Sequence, residues 1–380
     1  MNDRMPKKVL FIFDRVAHYH RQFFRTLESR LKASGITLYL LSGEVQPKET
    51  GRIGLSHRVI DNENKYRFVE YPVGSFIFRL HKGINRRIHK IRPDLIVILS
   101  HVGNISNWRW LIFRRRWQYK VAAWQCGYEF NRGKVKDLIL KLFIPRFDYH
   151  LAYHTNAKKY ALKYGASEMA ITVIHNTIDE SRIDLLPKPQ ARSLIEAKYP
   201  VLRNKKILLY VGAILKEKRL PIILESLELL RREDVVALFV GDGPYMSTFR
   251  KRCSGRSDVV LAGSIIDGVG PYFDAADCFI LPGTGGLAIN EAMAHALPII
   301  AGYADGSADD LVVDGENGFR LRTGDSSELA EKIQAIIDDD ALAVRMGAIS
   351  QQKIVGFFSF SNFIERVCQG LKAALLEKND

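Results

Sequence analysis

Short apolar runs alternate with helical patterns along the 380 residues of the chain. The apolar runs carry few polar residues, which is typical of parallel strands covered on both faces. In the first half, the predicted strands are 8–13, 36–41, 68–71, 95–99, 120–124, 149–153 and 171–174. The predicted helices are 22–33, 76–91, 105–116 and 158–164. This alternation predicts an α/β fold with a doubly wound parallel sheet.

The same alternation restarts after a segment, residues 181–204, that has no long apolar pattern and contains three prolines. The predicted strands of the second half are 207–211, 235–240, 259–262, 278–281 and 299–301, and its helices include 189–198, 220–231, 271–275, 327–338, 342–352 and 360–376. We therefore expect two tandem Rossmann-like domains that face each other across a cleft. The predicted boundaries are 1–180, a linker at 181–204, 205–356, and a C-terminal helix at 357–380 that returns to the first domain.

One stretch of the second half, LPGTGGLAINEAMAHALPIIAG at 281–302, combines a strand end, a glycine-rich turn and a helix. Such a turn places free backbone N–H groups at the positive end of a helix dipole, where a phosphate can bind. Glu291 lies on that helix among apolar residues. Its carboxylate could accept hydrogen bonds from sugar hydroxyls, so the stretch suggests a diphosphate with a ribose attached. The alternative is an ordinary βαβ turn with Glu291 solvated at its edge.

Ligands of parallel α/β sheets bind at the carboxyl ends of the strands. The residues that follow predicted strands are therefore candidates for a binding site. In the first half they are His18, His101 and Glu129; in the second half they are Gly212, Lys218, Gly241, Gly243 and the turn 283–291. The alternative for Lys218 is a solvated lysine at a helix start, and for the histidines and Glu129 it is an ordinary loop surface.

The amino-acid composition excludes several classes of protein. A hydrophobic content of 47% and a charged content of 26% are those of a soluble globular chain. The four cysteines form no CxxC pair, so neither a zinc site nor a disulfide framework is predicted. We find no signal-peptide pattern and no apolar run long enough for a membrane span, which favours a cytoplasmic location.

The charge is unevenly distributed. Residues 1–190 hold 34 Lys and Arg against 16 Asp and Glu, a balance of +18, whereas the remainder has a balance of −4. This favours an anionic membrane, an acidic substrate or nucleic acid as a partner of the first half. Two basic segments, 79–92 and 109–120, mix Arg and Lys with apolar residues, as in helices that lie on anionic membranes. The alternative is a core-facing helix with a solvated basic face. No nucleic-acid recognition motif is present, so we predict no nucleic acid partner.

Four stretches, one just before the linker and three in the second half, together resemble a known family. They are VIHNTID (173–179), YVGAILKEKR (210–219), FVGDGP (239–244) and ADCFILPGTGGLAINEAMAHALPIIA (276–301). In order and spacing they resemble the retaining glycosyltransferases of family 4, also called glycosyl transferases group 1, which have the GT-B fold. The resemblance covers about 170–360 well and the first 165 residues weakly.

The resemblance implies roles for individual residues. Lys218 matches the phosphate-binding lysine, and Glu291 matches the second glutamate of an E-x7-E pattern that holds the ribose hydroxyls. The implied catalytic residues are Lys218 and His101; the implied nucleotide-sugar-binding residues are Gly212, Lys218, Gly241, Gly285, Gly286, Leu287 and Glu291; the acceptor-side candidates are His18 and Glu129. Two positions depart from the pattern: Gly283 replaces the first glutamate, and Ala213 replaces an arginine.

By the same resemblance, domain 1–180 would bind the acceptor and domain 205–356 the nucleotide sugar. The expected activity is retaining transfer of a hexosyl group from a nucleotide diphosphate donor, a UDP-sugar, to a carbohydrate or lipid-linked glycan in surface polysaccharide assembly. No cofactor and no metal are expected, and the enzyme would be cytoplasmic or attached to the inner face of the cytoplasmic membrane. The alternatives are a catalytically degenerate fold that binds only nucleotide or a partner, and an NAD-dependent dehydrogenase. The dehydrogenase would need a GxGxxG loop at the first βα turn, which is missing.

Overall fold

The computed structural model describes residues 6–16, 20–44, 58–73, 76–127, 133–265, 267–302 and 306–376. The chain forms two compact units. Unit 1 consists of Met1–His175 together with Ser361–Asp380, and unit 2 is Asn176–Phe360. Each unit is built on one parallel sheet with helices around it, so the α/β prediction is confirmed.

Unit 1 contains a seven-stranded sheet in the order β3-β2-β1-β6-β7-β8-β9 and a separate two-stranded hairpin, β4-β5. Its elements are β1 (Lys7–Phe13), α1 (His20–Ala33), β2 (Ile36–Gly43), β3 (Glu63–Tyr66), β4 (Phe68–Val73), β5 (Phe76–His81), α2 (Ile84–Ile91), β6 (Leu95–Leu99), α3 (Ile105–Phe113), β7 (Lys120–Gln125), α4 (Lys134–Phe143), β8 (Tyr149–Ala152), α5 (Thr155–Lys163) and β9 (Ile171–Val173). The central strands are apolar because helices cover both faces of the sheet.

The order of the strands decides on which face each helix lies. The chain steps from β1 to β2 in one direction, and from β6 through β7 and β8 to β9 in the other. Because crossovers between parallel strands are right-handed, α1 lies on one face and α3, α4 and α5 lie together on the other. Side-chain contacts agree: Trp108 of α3 packs on Phe143 of α4 with ring centroids 4.9 Å apart, and Tyr164 after α5 donates to Asp137 of α4 at 2.6 Å.

Unit 2 contains a six-stranded parallel sheet in the order β12-β11-β10-β13-β14-β15. Its elements are α6 (Lys188–Lys198), β10 (Lys206–Val211), α7 (Pro221–Leu230), β11 (Val235–Val240), α8 (Met246–Arg252), β12 (Val259–Gly263), α9 (Gly270–Ala275), β13 (Cys278–Leu281), α10 (Ala288–Ala294), β14 (Ile299–Ala301), α11 (Ser307–Leu311), β15 (Gly318–Arg320), α12 (Ser326–Ile337) and α13 (Asp340–Val355). All of β11 and β13 is buried, which explains their unbroken apolar sequences.

The last helix, α14 (Phe360–Leu376), packs on unit 1. Phe363 contacts Phe23 of α1, with ring centroids 5.3 Å apart. Lys120 at the start of β7 donates from Nζ to the carbonyls of Ala374 and Leu375, at 3.1 and 3.3 Å. A lysine at this position satisfies carbonyl groups that the last turn of a helix leaves without partners.

Two parts of unit 1 differ from the sequence-based prediction. The helix predicted at 76–91 is wrong in its first part, because Phe76–His81 pairs antiparallel with Phe68–Val73 and the helix begins only at Ile84. Gly83, with φ 72°, separates the two. Helix α4 was not predicted, because its apolar residues are not confined to one face that could be assigned to a core. None of the described helices is both long and apolar enough to cross a membrane.

Candidate functional site

The predicted phosphate-binding turn lies at the carboxyl end of β13 and is called here the glycine loop, residues 282–287. Thr284 donates its N–H to the Glu217 carbonyl at 3.0 Å. No described residue accepts a hydrogen bond from the N–H groups of Gly285, Gly286 and Leu287. The helix that follows, α10, has seven residues, so the macrodipole available to an anion is that of a short helix. Anion binding here would depend chiefly on the unpartnered N–H groups of the loop.

Lys218 is fixed against the glycine loop. It ends the turn 216–218 that follows β10, and its Nζ donates to the carbonyls of Thr284 at 2.7 Å and Gly285 at 3.2 Å. The turn and the loop therefore hold each other in place. A lysine ammonium and unpartnered N–H groups in one place form a positively polarised site, which suits a phosphate group.

Gly283 occupies a position where the structure has no space for a side chain. A Cβ atom at this position would lie 2.3 Å from the Glu217 carbonyl oxygen and 2.5 Å from the Lys218 Cα. Gly283, where the resemblance implies a glutamate, thus allows a direct backbone contact between the glycine loop and the turn 216–218, called here the lysine turn. A glutamate here would require the turn to move.

Arg219 is the arginine nearest in sequence to Ala213, the position at which the family resemblance implies an arginine. Arg219 donates from its guanidinium to the Gly324 carbonyl at 2.8 Å, so it is engaged with the loop before α12. Lys216 is exposed on the same turn as Lys218.

Gly212 and Gly241 end β10 and β11 and allow the two loops to touch. Both have positive φ, 147° and 143°, and a Cβ on Gly241 would lie 1.9 Å from the Gly212 carbonyl oxygen. The positive φ favours glycine at both positions, and the backbone contact requires it at Gly241. A contact of either with nucleotide remains a prediction.

Glu291 is a partly buried carboxylate on α10. Among the described residues, none donates a hydrogen bond to its side chain. Burial raises its pKa, and the nearby His295 opposes this shift. A buried carboxylate without donors is unfavourable in the unliganded protein, and hydroxyl groups of a ligand would supply the missing hydrogen bonds.

In unit 1, His101 follows β6 at the carboxyl edge of the sheet, as predicted, and is partly exposed. The two acceptor-side candidates, His18 and Glu129, lie outside the described residues. The structure therefore neither brings these three residues together nor separates them.

A buried polar network at the same edge of unit 1 was not predicted. Asp14, after β1, lies 2.6 Å from His81 Nε2, 3.0 Å from the Tyr66 hydroxyl and 3.2 Å from both Arg79 Nη1 and Asn104 Nδ2. Burial alone would raise the pKa of Asp14, but His81, Arg79 and Tyr66 outweigh it and hold this pKa far below its ordinary value. The one sequence feature that pointed to this network is Asp14 itself, a polar residue directly after the first buried strand. Its partners are 52 to 90 positions away in the sequence.

The basic segments also differ from their predicted form. Trp110 is buried and donates to Asn85 at 2.9 Å, and Arg114 pairs with Asp148 at 3.0 Å. Arg79 belongs to the Asp14 network. Trp110, Arg114 and Arg79 therefore make contacts within unit 1. From the sequence, the segments that contain them were candidates for a membrane-facing surface.

Two cavities lie at the opposite ends of the strands from these loops. One, of about 840 Å³, is lined by Lys120 and His150 at the starts of β7 and β8. Burial lowers the pKa of His150 to about 4, against a small opposing effect of the Ile144 carbonyl. The other, of about 700 Å³, is lined by Lys206 and His295 in unit 2. Neither cavity contains a predicted site residue. In the described part of the chain, no group of three or more His, Cys, Asp or Glu residues could hold a metal ion.

Known proteins are similar in sequence to part of this chain. Residues 205–339 match the model of the family described as Glycosyl transferases group 1, which confirms the resemblance inferred from the sequence. Among curated proteins, a sulfoquinovosyl transferase of Arabidopsis thaliana is 29% identical over 141 residues, which is 36% of this chain and 27% of that protein. The capsular polysaccharide biosynthesis glycosyltransferase CapM of Staphylococcus aureus is 28% identical over 176 residues, 43% of this chain and 46% of CapM. The chain thus spans less than half of either relative.

Solved structures match the whole fold. HepE of Anabaena in complex with UDP superposes with a TM-score of 0.75 at 17% identity, covering 96% of this chain and all of HepE. Its complex with UDP-glucose gives a TM-score of 0.73 over 96% of this chain and 99% of HepE. The predicted fold, two Rossmann-like domains of the GT-B class, is confirmed.

Proposed function

We propose that this chain, which carries a glycosyl transferases group 1 match at residues 205–339, is a retaining hexosyltransferase that uses a nucleotide diphosphate sugar. The observation that carries the proposal is the glycine loop: three unpartnered N–H groups beside the Lys218 ammonium, at the carboxyl end of a parallel strand. The proposed donor is a UDP-sugar, in accordance with the UDP in the HepE complexes.

In the proposed reaction, the bond between the anomeric carbon of the sugar and the diphosphate oxygen breaks. Its electron pair goes to the diphosphate, an acceptor hydroxyl oxygen bonds to the same carbon on the same face, and the hydroxyl proton passes to an oxygen of the departing diphosphate. Lys218 and the N–H groups of Gly285, Gly286 and Leu287 would stabilise the charge that develops on the leaving diphosphate. Fixed donors aimed at that charge make a metal unnecessary, so we propose that the reaction needs no cofactor.

Other residues would position the donor. Glu291 would accept hydrogen bonds from the ribose hydroxyls, which supplies the donors that its buried carboxylate lacks. His101 would contact the transferred sugar from the edge of the unit 1 sheet, with His18 and Glu129 on the acceptor side. We further propose that residues 1–180 bind the acceptor and 205–356 the donor.

The proposed acceptor is a carbohydrate or lipid-linked glycan in the assembly of a surface polysaccharide. The likeness to CapM, a capsular polysaccharide biosynthesis glycosyltransferase, supports this class. The +18 balance of residues 1–190 supports an acidic glycan or an anionic membrane on the side of unit 1. We therefore propose a cytoplasmic enzyme that works at the inner face of the cytoplasmic membrane.

The test combines a donor screen with a pair of lysine variants. UDP-, GDP- and ADP-sugars are compared by the rise in melting temperature, since a ligand that binds only the folded state stabilises it. Turnover is then measured for Lys218→Ala and for Lys216→Ala, the matched control on the same turn. We expect Lys218→Ala to lose at least about 100-fold in turnover, as for removal of one oxyanion-stabilising donor, while Lys216→Ala stays within about 3-fold. Full turnover by Lys218→Ala would contradict the assignment.

A second candidate, a fold that binds nucleotide without transferring sugar, is favoured by Gly283 and Ala213. This candidate predicts that UDP raises the melting temperature, while no UDP-sugar in the panel is consumed with any glycan acceptor. Release of UDP that depends on the acceptor would eliminate it.

A further inference from the structure

Helix α4 of unit 1 buries Leu140 and Phe143 in the core and also exposes a second set of apolar residues. Val135, Leu138 and Leu142 have side chains that are 73%, 61% and 51% exposed, whereas Lys136 is buried on the opposite face. The three apolar residues follow one another at spacings of three and four, so they form a single stripe along the helix. Exposed apolar residues in a continuous stripe indicate a surface that another apolar phase covers.

The neighbouring helix α3 continues this surface. Ile105, Arg109 and Ile112 lie at spacings of four and three and are all exposed, with Ile112 at 60%. The two helices are in contact on one face of the sheet, since Trp108 packs against Phe143 at 4.9 Å. We define the α3–α4 face as the exposed residues of these two helices and of the turn that follows α3.

The charges of the α3–α4 face have one sign. Its exposed cations are Arg109, Arg115, Arg116, Lys134 and Lys141. Asp137 is the one acidic residue within the sequences of the two helices, and it accepts a hydrogen bond from Tyr164. An apolar stripe bordered by cations matches the interface of an anionic bilayer, where acyl chains adjoin negative headgroups.

Phe113 and Trp117 lie at the end of α3 on the same side. Their rings stack at 5.4 Å, and the Arg109 guanidinium lies 5.8 Å from the centroid of the Trp117 ring. Aromatic rings with adjacent cations are favoured at the level of lipid headgroups.

We propose that the α3–α4 face is a membrane-docking surface, and that its occupant is the anionic leaflet of a bilayer. Helix α4 lies in the plane of the interface with Val135, Leu138 and Leu142 among the acyl chains. Lys134, Lys141, Arg109 and Arg116 bind lipid phosphates around it. This inference rests on the location given in the proposed function and extends it by naming α4 as the inserted element.

The experiment measures binding of the full chain to vesicles of neutral phosphatidylcholine, with and without anionic phosphatidylglycerol. The apolar variant is Val135→Ser/Leu138→Gln/Leu142→Gln, and the charge variant is Lys134→Glu/Lys141→Glu/Arg116→Glu. All six positions are exposed, so the variants are expected to fold, which circular dichroism and melting temperature will verify. Arg114 is left intact because it pairs with Asp148.

We expect the wild type to bind anionic vesicles at least about 10-fold more tightly than neutral ones, and each variant to lose at least about 10-fold of that binding. A matched control, Leu229→Gln/Val344→Ser/Val355→Ser, removes three equally exposed apolar residues from helices of unit 2 and should bind as the wild type does. Absence of binding by the folded wild type, or undiminished binding by the apolar variant, would overturn the proposal.

Two further outcomes separate this inference from others. If the wild type forms a concentration-dependent dimer that the apolar variant abolishes, and no vesicle binding occurs, the face is an interface between two copies and the membrane proposal is wrong. Transfer to a short water-soluble acceptor is expected to be unchanged in the apolar variant. If the apolar variant loses vesicle binding but keeps this activity, the result supports membrane docking independently of catalysis. If the wild type binds vesicles but transfers no sugar, the docking proposal stands and the proposed function fails. The two proposals can therefore fail independently.

Discussion

Gly283 is a position at which the neighbouring backbone leaves no space for a side chain, and its surroundings predict the effect of adding one. In Gly283→Ala, the new Cβ would lie 2.3 Å from the Glu217 carbonyl oxygen and would push the lysine turn away from the glycine loop. Such overpacking typically costs about 1–3 kcal/mol. We expect a lower melting temperature and at least a tenfold loss of turnover. Differential scanning calorimetry and initial rates measure the two effects.

Gly286 offers the matched control for this substitution. A Cβ at Gly286 would meet only the flexible Lys218 Nζ, at 4.0 Å. We expect Gly286→Ala to keep the melting temperature of the wild type. Equal stability of the two alanine variants would show that the close approach at Gly283 has no energetic importance.

Glu291 connects stability with ligand binding. Because burial raises its pKa, the folded state holds this proton more tightly than the unfolded chain does. The contribution of this group to stability is therefore greatest at low pH and falls as the pH rises through its pKa. We expect unliganded Glu291→Gln to melt above the wild type near neutral pH, with the difference shrinking near pH 4.

The same variant should bind UDP about tenfold more weakly, since hydrogen bonds to a charged group contribute about 1.5–3 kcal/mol. Titration calorimetry with UDP, which lacks the transferred sugar, isolates the ribose contact. Unchanged UDP affinity would remove Glu291 from the nucleotide site.

At the scale of elements, the β4–β5 hairpin is joined to the end of β1 through a buried carboxylate. Arg79 and His81 of β5 both bond to Asp14 at the end of β1. Removing one partner of a buried ionic network leaves the others uncompensated and costs about 3–5 kcal/mol. We expect Asp14→Asn to lower the free energy of unfolding of unit 1 by about this amount near neutral pH, as measured by urea denaturation.

The pH dependence of that loss follows from the lowered pKa of Asp14. A carboxyl with a depressed folded-state pKa stabilises the protein above the unfolded value of about 3.9, and this contribution disappears as the pH falls. The penalty of Asp14→Asn should accordingly shrink below about pH 4. Glu44→Gln, which removes the exposed pair with Arg67, is the control and should cost at most about 1 kcal/mol. A penalty independent of pH would contradict the ionic role.

Elements of unit 2 were predictable because its strands are buried on both faces. Cys278–Leu281 and Val235–Val240 have the predicted bounds, and in unit 1 the helix at 360–376 was also placed correctly. The predictions were wrong in segments whose buried residues follow neither the helical nor the strand period. The sequence FIFRLH alternates apolar and basic residues and continues directly into a helix, while KVKDLILKLF exposes leucines and buries a lysine.

The polar residues of the candidate sites also fall into two groups, those that the sequence indicated and those that it did not. Lys218 and Glu291 could be located because short spacings relate them to strand ends and to a family pattern. The Asp14 network could not be predicted, since Tyr66, His81 and Asn104 reach Asp14 only through the folded arrangement of separate elements. A contact between residues distant in the sequence leaves no local pattern.

At the scale of the whole molecule, the chain leaves unit 1, forms unit 2, and returns to unit 1 through α14. Leu371 of α14 is fully buried, whereas Leu376 near the end of the helix is 81% exposed. We expect Leu371→Ala to lower the stability of unit 1 by about 2–5 kcal/mol, the range for buried leucines, and Leu376→Ala to have almost no effect.

The measurement is hydrogen exchange of β1, β7 and β8 in unit 1 and of β10, β11 and β13 in unit 2. Faster exchange should be confined to unit 1 in Leu371→Ala, and UDP should protect unit 2 equally in both variants. Comparable acceleration in both units would show that α14 stabilises more than the unit on which it packs.

The hydrogen bonds of Lys218 to the glycine loop have a consequence for the affinity with which a donor is bound. A lysine side chain loses about 2 kcal/mol of rotamer entropy when it is immobilised, and here folding has already fixed it on the carbonyls of Thr284 and Gly285. A diphosphate arriving at the loop therefore meets an ammonium whose direction is set in advance, with no search among rotamers during the encounter. The side-chain entropy of Lys218 is consequently not lost again on binding, so its interaction with the diphosphate contributes more fully to the affinity.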